Sequence, residues 1–234
     1  MEKKKFCSAV IVAAGKGSRF KGTKPKQFEE LDGKPLLYYS VKAMCDSPII
    51  DEVILVTSEE WIDYCTEEIV KKYDFEKVQA IIQGGEERYD SVFAGMMAVD
   101  ISSDYVFIQD GARPMLTEDI LRRGFETVEK YNTAVAAVPV TDTIKITDDN
   151  GVVISTTDRK NTWRIQTPQI FGYKLLLNAY FSMQEEDKEG LTDDAMLIEK
   201  KTNEKVHLFL GSEDNIKVTR SEDLKRLKEK IRNR

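Results

Sequence analysis

The sequence is poor in the side chains that build histidine-based triads and zinc sites. Of its 234 residues, one is histidine and three are cysteines. His207 lies in an alternating apolar stretch, which predicts an ordinary strand residue. Cys7, Cys45 and Cys65 form no C-x-x-C pair. We therefore expect no such triad, no zinc centre and no disulfide framework, but reduced and inert thiols.

Long hydrophobic runs and an excess of positive charge are also missing. No apolar segment approaches the ~20 residues of a membrane span, and the opening residues 1–6 are too short for a secretory signal. A net charge of −6 does not suit broad nucleic-acid binding, which needs a basic surface. We expect a cytoplasmic protein that binds neither membranes nor nucleic acid.

Short apolar runs alternate with amphipathic segments along the chain. Strands are predicted at 7–13, 51–57, 78–82, 104–109, 133–139 and 205–210. Helices are predicted near 35–46, 59–73, 86–99, 117–130, 173–182, 193–201 and 221–232. This alternation predicts an α/β fold with a mostly parallel sheet and helices on both faces. The length suits one domain, residues 1–234.

A stretch at about 140–162 interrupts this alternation. Asn150-Gly151, between two β-branched runs, is the strongest short signal for a β-hairpin. An isolated two-stranded hairpin is marginally stable in water. We therefore expect Val152, Val153 and Ile154 to pack on another surface, which is most simply that of their own domain.

The first apolar run, Cys7 to Ala14, ends in a loop of glycines and cations. Small residues let a ligand approach the backbone, and free amides with nearby cations favour phosphate. Phe20 stands where both the Walker motif and the dinucleotide fingerprint need a glycine. The loop therefore predicts a nucleotide or polyphosphate site of another type. A plain strand-to-helix turn is the alternative.

Two further motifs fall where strands are predicted to end. Gly84-Gly85-x-x-Arg88-x-x-Ser91 leads into a helix, whose N-terminus favours an anion or a base edge. Asp110 follows an apolar strand, and a carboxylate there is a natural Mg²⁺ ligand beside triphosphate oxygens. The alternatives are an ordinary turn for the first motif and an ion pair with Arg113 for the second.

Ala13-Ala-Gly-Lys-Gly-Ser-Arg19 and Pro25-Lys-Gln27 resemble the signature of nucleotidyltransferases that join a sugar or polyol phosphate to a nucleoside triphosphate. The pattern is most similar to the 2-C-methyl-D-erythritol 4-phosphate cytidylyltransferase family. Gln109 and Gly111 depart from that family's usual His and Ala. The other matching segments are Val138–Lys145, Thr157–Arg159, Trp163, Gln166–Gln169, Thr192–Ala195 and Asp214–Thr219.

The resemblance implies a glycosyltransferase-A-like sheet, CTP and methylerythritol phosphate as substrates, Mg²⁺ and a role in isoprenoid precursor synthesis. It also implies a homodimer in which the hairpin at about 140–162 is an arm that grips the second subunit. It implies catalysis by Arg19 and Lys26. Nucleotide binding falls to Ala13, Ala14, Gly15, Gly17, Gly84, Gly85, Arg88, Ser91, Asp110 and Ala112. Substrate binding falls to Thr143, Arg159, Lys217, Asp110 and Arg113, and metal binding to Asp110 and Asp214.

Two other functions compete with this interpretation. A ribitol-5-phosphate cytidylyltransferase would share the loop, metal and fold, but Thr157-Asp-Arg159 and Trp163 look more like the methylerythritol phosphate enzymes. A non-catalytic nucleotide-binding subunit would be expected to have lost Arg19 or Lys26, and both are present. A dehydrogenase is disfavoured by the broken dinucleotide fingerprint.

Overall fold

The computed structural model describes residues 4–15, 20 and 24–232. The strands are β1 Cys7–Val12, β2 Glu30–Leu31, β3 Lys34–Pro35, β4 Glu52–Thr57, β5 Val78–Gln83, β6 Tyr105–Asp110, β7 Thr133–Pro139, β8 Lys145–Thr147, β9 Val153–Thr156, β10 Trp163–Gly172 and β11 Leu208–Leu210. The helices are α1 Leu36–Asp46, α2 Ile62–Tyr64, α3 Arg88–Ala98, α4 Glu118–Tyr131, α5 Tyr173–Phe181, α6 Glu185–Lys188, α7 Asp194–Lys201 and α8 Ser221–Arg232. Helix α2 continues as a π-helical segment, Cys65–Lys71.

Within these residues, seven strands form the central sheet in the order β11-β7-β10-β6-β1-β4-β5. β10 runs antiparallel to both of its neighbours, β6 and β7, whereas the other pairings are parallel. The predicted α/β class with a mostly parallel sheet is confirmed. The carboxyl ends of β1, β4 and β6 meet at one edge, which is where such sheets bind ligands.

The two faces of the sheet bury separate cores, as the period of a strand requires. In β1, Ala9 and Ile11 point into the core covered by α1 and α4, whereas Val10 points into the core covered by α3, α5 and α7. These three side chains are fully buried. Burial on both faces explains why β1 is a continuous apolar run in the sequence rather than an alternating one.

Strand β10 is the main element that the sequence pattern did not predict. Its pairing with β7 shifts register between Ile165 and Gln169. Pro168 lies within that shift, and proline is tolerated in a sheet where the hydrogen-bond ladder is interrupted. A Thr-Pro pair in the middle of a polar stretch therefore hid a ten-residue strand.

The hairpin of β8 and β9, here called the arm, projects its apolar side chains into solvent. Val152, Val153 and Ile154 are 62%, 53% and 66% exposed. The arm does not bury them against any described part of its own chain. Packing on its own domain, one of the two alternatives, is thus not what the structure shows.

Across the described residues, no helix is both long enough and apolar enough to cross a membrane.

Candidate active site

A cavity of about 350 Å³ opens at the carboxyl ends of β1 and β6, beside the start of α3. Four of the predicted ligand-binding segments send residues to its wall. These are Ala13, Gly15 and Lys26 after β1, Gly85, Arg88 and Ser91 before and in α3, Asp110 and Ala112 after β6, and Lys217. The structure therefore gathers into one cavity segments as far apart in the sequence as Ala13 and Lys217.

Gly84 and Gly85 are required because the loop before α3 passes very close to its neighbours. A Cβ on Gly84 would lie 2.6 Å from both the Ala14 Cβ and the Ser91 Oγ. A Cβ on Gly85 would lie 2.3 Å from the Asp90 Cβ. The Gly85 amide donates to the Ser91 Oγ at 3.2 Å, so Ser91 also holds the shape of this loop.

Gln27 ties the Lys26 segment to the loop after β1. Its Nε2 donates to the Ala13 carbonyl at 2.5 Å, and its side chain is buried. The next residue, Phe28, stacks on Trp61 with ring centroids 4.2 Å apart. Lys26 therefore stands on a fixed backbone at the cavity wall. The sequence motif contained Gln27, but its role as a tether became visible only in the fold.

One apolar cluster is formed by residues that lie close in sequence to three of the predicted site residues. Phe20 packs against the cluster that contains Ala112, Val218 and Leu224. Phe20, Ala112 and Val218 come one or two residues after Arg19, Asp110 and Lys217, respectively. The Val218 amide donates to the Ala112 carbonyl at 2.9 Å. Helix α8 supplies Leu224 and so supports this side of the cavity. Gly17 and Arg19 themselves lie outside the described residues.

Asp110 is the electrostatic centre of the site. Among the described residues, Lys217 Nζ lies 2.9 Å from its Oδ2, Arg113 Nε lies 3.5 Å from the same oxygen, and Arg88 Nε lies 3.4 Å from Oδ1. The Asp110 side chain is 9% exposed. Its backbone amide also donates to the Thr167 Oγ1 at 3.1 Å. A nearly buried carboxylate is thus compensated by cations from three separate segments.

These contacts set the protonation state of Asp110. Burial by itself would raise the pKa of this carboxyl group, but Lys217, Arg88 and Arg113 outweigh burial and hold the pKa well below its usual range. Burial lowers the pKa of the Arg113 guanidinium, and Asp110 opposes that effect. Asp110 is therefore an ionised acceptor at neutral pH, not a proton donor.

A second cavity, of about 230 Å³, adjoins the first. The two cavities share Arg88, Asp110 and Lys217 as a common wall. The second is also lined by Arg113, which was predicted, and by residues without a predicted role: Ile165, Gln166, Thr167, Gln169, Thr192 and Asp193. Most of the latter belong to β10, the strand that the sequence pattern does not predict.

The remaining predicted residues lie elsewhere. Thr143 and Arg159 are exposed at the base of the arm, where an Arg159 Nη2 donates to the Thr143 Oγ1 at 3.2 Å. The described linings of the two cavities include neither residue. Asp214 forms an ion pair with Lys230 of α8, and the same linings omit it.

The donor set can be compared with what Mg²⁺ requires. In the described part of the chain, no group of three or more His, Cys, Asp or Glu side chains could hold a metal ion. Asp110 offers one ionised carboxylate in the wall of both cavities. Mg²⁺ commonly takes one or two protein carboxylates together with substrate phosphates and waters. The residues present fit a metal that is shared with a bound triphosphate.

Comparisons with known proteins identify the family of the chain. A family model described as 2-C-methyl-D-erythritol 4-phosphate cytidylyltransferase matches residues 7–232. The chain belongs to this family. A relative of the same description from Lachnospira eligens is 44% identical over 218 residues, which is 93% of this chain and 95% of the relative. One from Clostridium acetobutylicum is also 44% identical over 218 residues, which is 92% and 93% of the two chains.

Solved structures agree with the family assignment. The 4-diphosphocytidyl-2C-methyl-D-erythritol synthase from Anaerococcus prevotii superposes with a TM-score of 0.83 at 31% identity. The superposition covers 98% of this chain and 100% of the Anaerococcus chain. The cytidylyltransferase from Francisella tularensis gives a TM-score of 0.79 at 26% identity, covering 94% and 97%. The predicted family and enzyme class, a nucleotidyltransferase, are confirmed.

Neutralising Asp110 should destabilise the folded protein in a pH-dependent way. In Asp110→Asn, three largely buried cations lose their shared anion, so we expect the free energy of unfolding at pH 7 to fall by about 3–5 kcal/mol. The folded-state pKa lies below the ordinary value of 3.8. The contribution is therefore fully present above that value and is lost as pH falls through the folded-state pKa.

Urea unfolding of the wild type and Asp110→Asn from pH 7 down to pH 3 measures this difference. It should stay constant near neutrality and shrink below about pH 4. Asp119→Asn, which removes an exposed acid paired with Arg122 and Arg123, is the control and should have little effect. A difference that does not change with pH would contradict the electrostatic explanation.

Proposed function

We propose that the chain transfers the cytidylyl group of CTP to 2-C-methyl-D-erythritol 4-phosphate, giving CDP-methylerythritol and pyrophosphate for isoprenoid precursor synthesis. The observation that carries this proposal is the pair of adjoining cavities with a cationic common wall. One cavity begins at the glycine loop and suits a nucleoside triphosphate. The other contains Arg113 and hydroxyl and amide side chains, which suit a phosphorylated polyol.

The reaction needs no protein nucleophile. An oxygen of the acceptor phosphate attacks the α-phosphorus of CTP, and the bond from that phosphorus to the oxygen that links it to the β-phosphorus breaks, so that pyrophosphate leaves. The acceptor is a phosphate monoester, already largely ionised at pH 7, so no general base is required. The protein must align two anions and stabilise the charge that grows on the transferring phosphoryl group.

The lysines and arginines that line the two cavities have positions that suit this task. Lys26 lines the first cavity, on the backbone that Gln27 fixes. Lys217 lies in the common wall and can reach groups on either side. We assign Lys26, together with Arg19, to the transition state, and Lys217 and Arg113 to the acceptor phosphate. Mg²⁺ bound through Asp110 would neutralise triphosphate oxygens, and Asp214 remains a weaker candidate ligand.

We further infer that the chain is one nucleotidyltransferase domain, residues 1–234, with an insertion at about 140–162 that contains the arm. The arm exposes Ile146 as well as Val152, Val153 and Ile154, and several exposed apolar side chains on one hairpin are typical of an interface. A homodimer would bury it and bring Thr143 and Arg159 to the partner's site. CTP is a metabolite of the cytoplasm, where we place the reaction.

The substrate assignment is tested by pyrophosphate release. With CTP and Mg²⁺, methylerythritol 4-phosphate should give a far higher kcat/KM than ribitol 5-phosphate, and ATP, GTP and UTP should be poor donors. The reason is the membership of the family together with Asp158, Arg159 and Trp163. A clear preference for ribitol 5-phosphate would overturn the substrate but keep the reaction type.

Removing a cation that acts in the transition state should lower kcat. Arg19→Ala and Lys26→Ala should each reduce kcat by ~10²-fold or more, the scale for loss of one preorganised donor. Steady-state kinetics in CTP and acceptor measure this. Lys24→Ala, which removes a cation two residues from Lys26, is the matched control. If kcat stayed near normal and only the KM for CTP rose, both residues would act in ground-state binding instead.

The shared site is tested by mixing two inactive proteins. In a two-fold dimer whose sites use Lys26 of one chain and Arg159 of the other, a mixed dimer of Lys26→Ala and Arg159→Ala has one intact site. Free exchange makes about half of the dimers mixed, so activity should recover to roughly a quarter of the wild type. Mixed dimers shown by mass spectrometry to form, yet without regained activity, would mean that Arg159 serves its own chain.

A further inference from the structure

A second buried carboxylate stands behind the common wall of the two cavities. Asp194 is the first residue of α7 and is 1% exposed. The Tyr180 hydroxyl donates to its Oδ1 at 2.6 Å, and the Arg88 Nη2 lies 2.8 Å from its Oδ2. Neither cavity has Asp194 in its described lining, so this acid does not face the substrates directly.

Arg88 is divided between two acids. Its terminal nitrogen is paired with Asp194, whereas its Nε approaches the Asp110 Oδ1 at 3.4 Å, a longer contact. An arginine with one carboxylate partner tends to bind it through two parallel hydrogen bonds. Here that arrangement with Asp110 is prevented because Nη2 is held from the other side. The contact from the Arg88 Nε to the Asp110 Oδ1 therefore stays single and long.

The position of Asp194 is itself fixed by the sheet. The Gln169 Oε1 accepts from the amides of Asp194 and Ala195 at 3.1 and 3.0 Å, and its Nε2 donates to the Asp193 Oδ2 at 2.8 Å. Gln169 lies on β10, paired with Ile108 of β6, two residues before Asp110. Asp110 ends β6, and Asp194 is hydrogen-bonded to the neighbouring strand β10, so the sheet fixes the distance between the two acids that share Arg88.

We propose that Asp194 is a positioning residue that holds Arg88 back from Asp110 and so leaves Asp110 able to bind the substrates. This proposal rests on the function proposed above, because it concerns the same site. Asp194 acts through Arg88 and touches no reacting atom. Without its charge, the Arg88 guanidinium turns to Asp110 and occupies the oxygen that a substrate hydroxyl or a metal would use.

The test is a double-mutant cycle on Asp194 and Arg88. Asp194→Asn should lower kcat/KM for the acceptor by about 10-fold or more, the scale of a lost hydrogen bond to a charged group. In an Arg88→Met background, the same change should alter kcat/KM by less than about 2-fold, because the residue through which it acts is gone. Arg88→Gln, which also removes the positive charge, replaces Arg88→Met if thermal melts show that the latter does not fold.

Two controls separate positioning from stability. Asp187→Asn removes a half-buried ion pair with Lys201, the last residue of α7, at the opposite end of that helix from Asp194. This change should lower the stability of the protein without changing kcat/KM. Tyr180→Phe removes the hydroxyl that contacts Asp194 but keeps the acid's charge, and it should retain most of the activity.

Binding of CDP-methylerythritol, followed by calorimetry, gives a readout independent of turnover. Asp194→Asn should weaken this product about 10-fold, whereas Asp187→Asn should leave its affinity unchanged. An equal effect of Asp194→Asn in both Arg88 backgrounds, or unchanged product affinity, would overturn the proposal. A wild-type protein that neither turns over nor binds these compounds would instead refute the proposed function, so the two failures are distinct.

Discussion

The burial of one ionised carboxylate, Asp110, is the constraint around which the site is arranged. Such a group is stable at the end of a buried strand only if cations approach it closely. Those cations come from the start of α3, from the loop after β6 and from residue 217, which the chain brings together only by completing the sheet. The full set of contacts to Asp110 therefore exists only in the folded sheet.

The antiparallel strand β10 gives this sheet its second cavity. Inserted between β6 and β7, it places Thr167 against the Asp110 amide and Gln169 against the start of α7. The Asn215 side chain, next to the loop that carries Lys217, donates to the Thr167 carbonyl at 2.8 Å. Strand β10 thus connects Asp110 both to the start of α7 and to the loop that carries Lys217.

Much of this could be predicted from the sequence because buried parallel strands and glycine loops leave local signals. The strands β1, β4, β5, β6 and β7, and the cavity residues Lys26, Arg88 and Asp110, belong to that part. Thr167, Gln169 and Asp194 do not, because their importance lies in contacts with distant segments. A Thr-Pro pair carries no periodic signal, and a buried Asp at a helix start looks like a capping residue.

The cations of the site are balanced by nearby acids. Arg88, Arg113 and Lys217 contact Asp110 or Asp194, and Lys26 stands in the adjoining wall. The described linings also include Glu86, Glu87 and Asp193, so they carry no excess of positive charge. A phosphorylated substrate is therefore favoured by where the cations stand, since a recessed, poorly solvated wall strengthens each contact with them. Asp110 and Asp194 keep Arg88, Arg113 and Lys217 apart and oriented, because cations without these acids would repel one another.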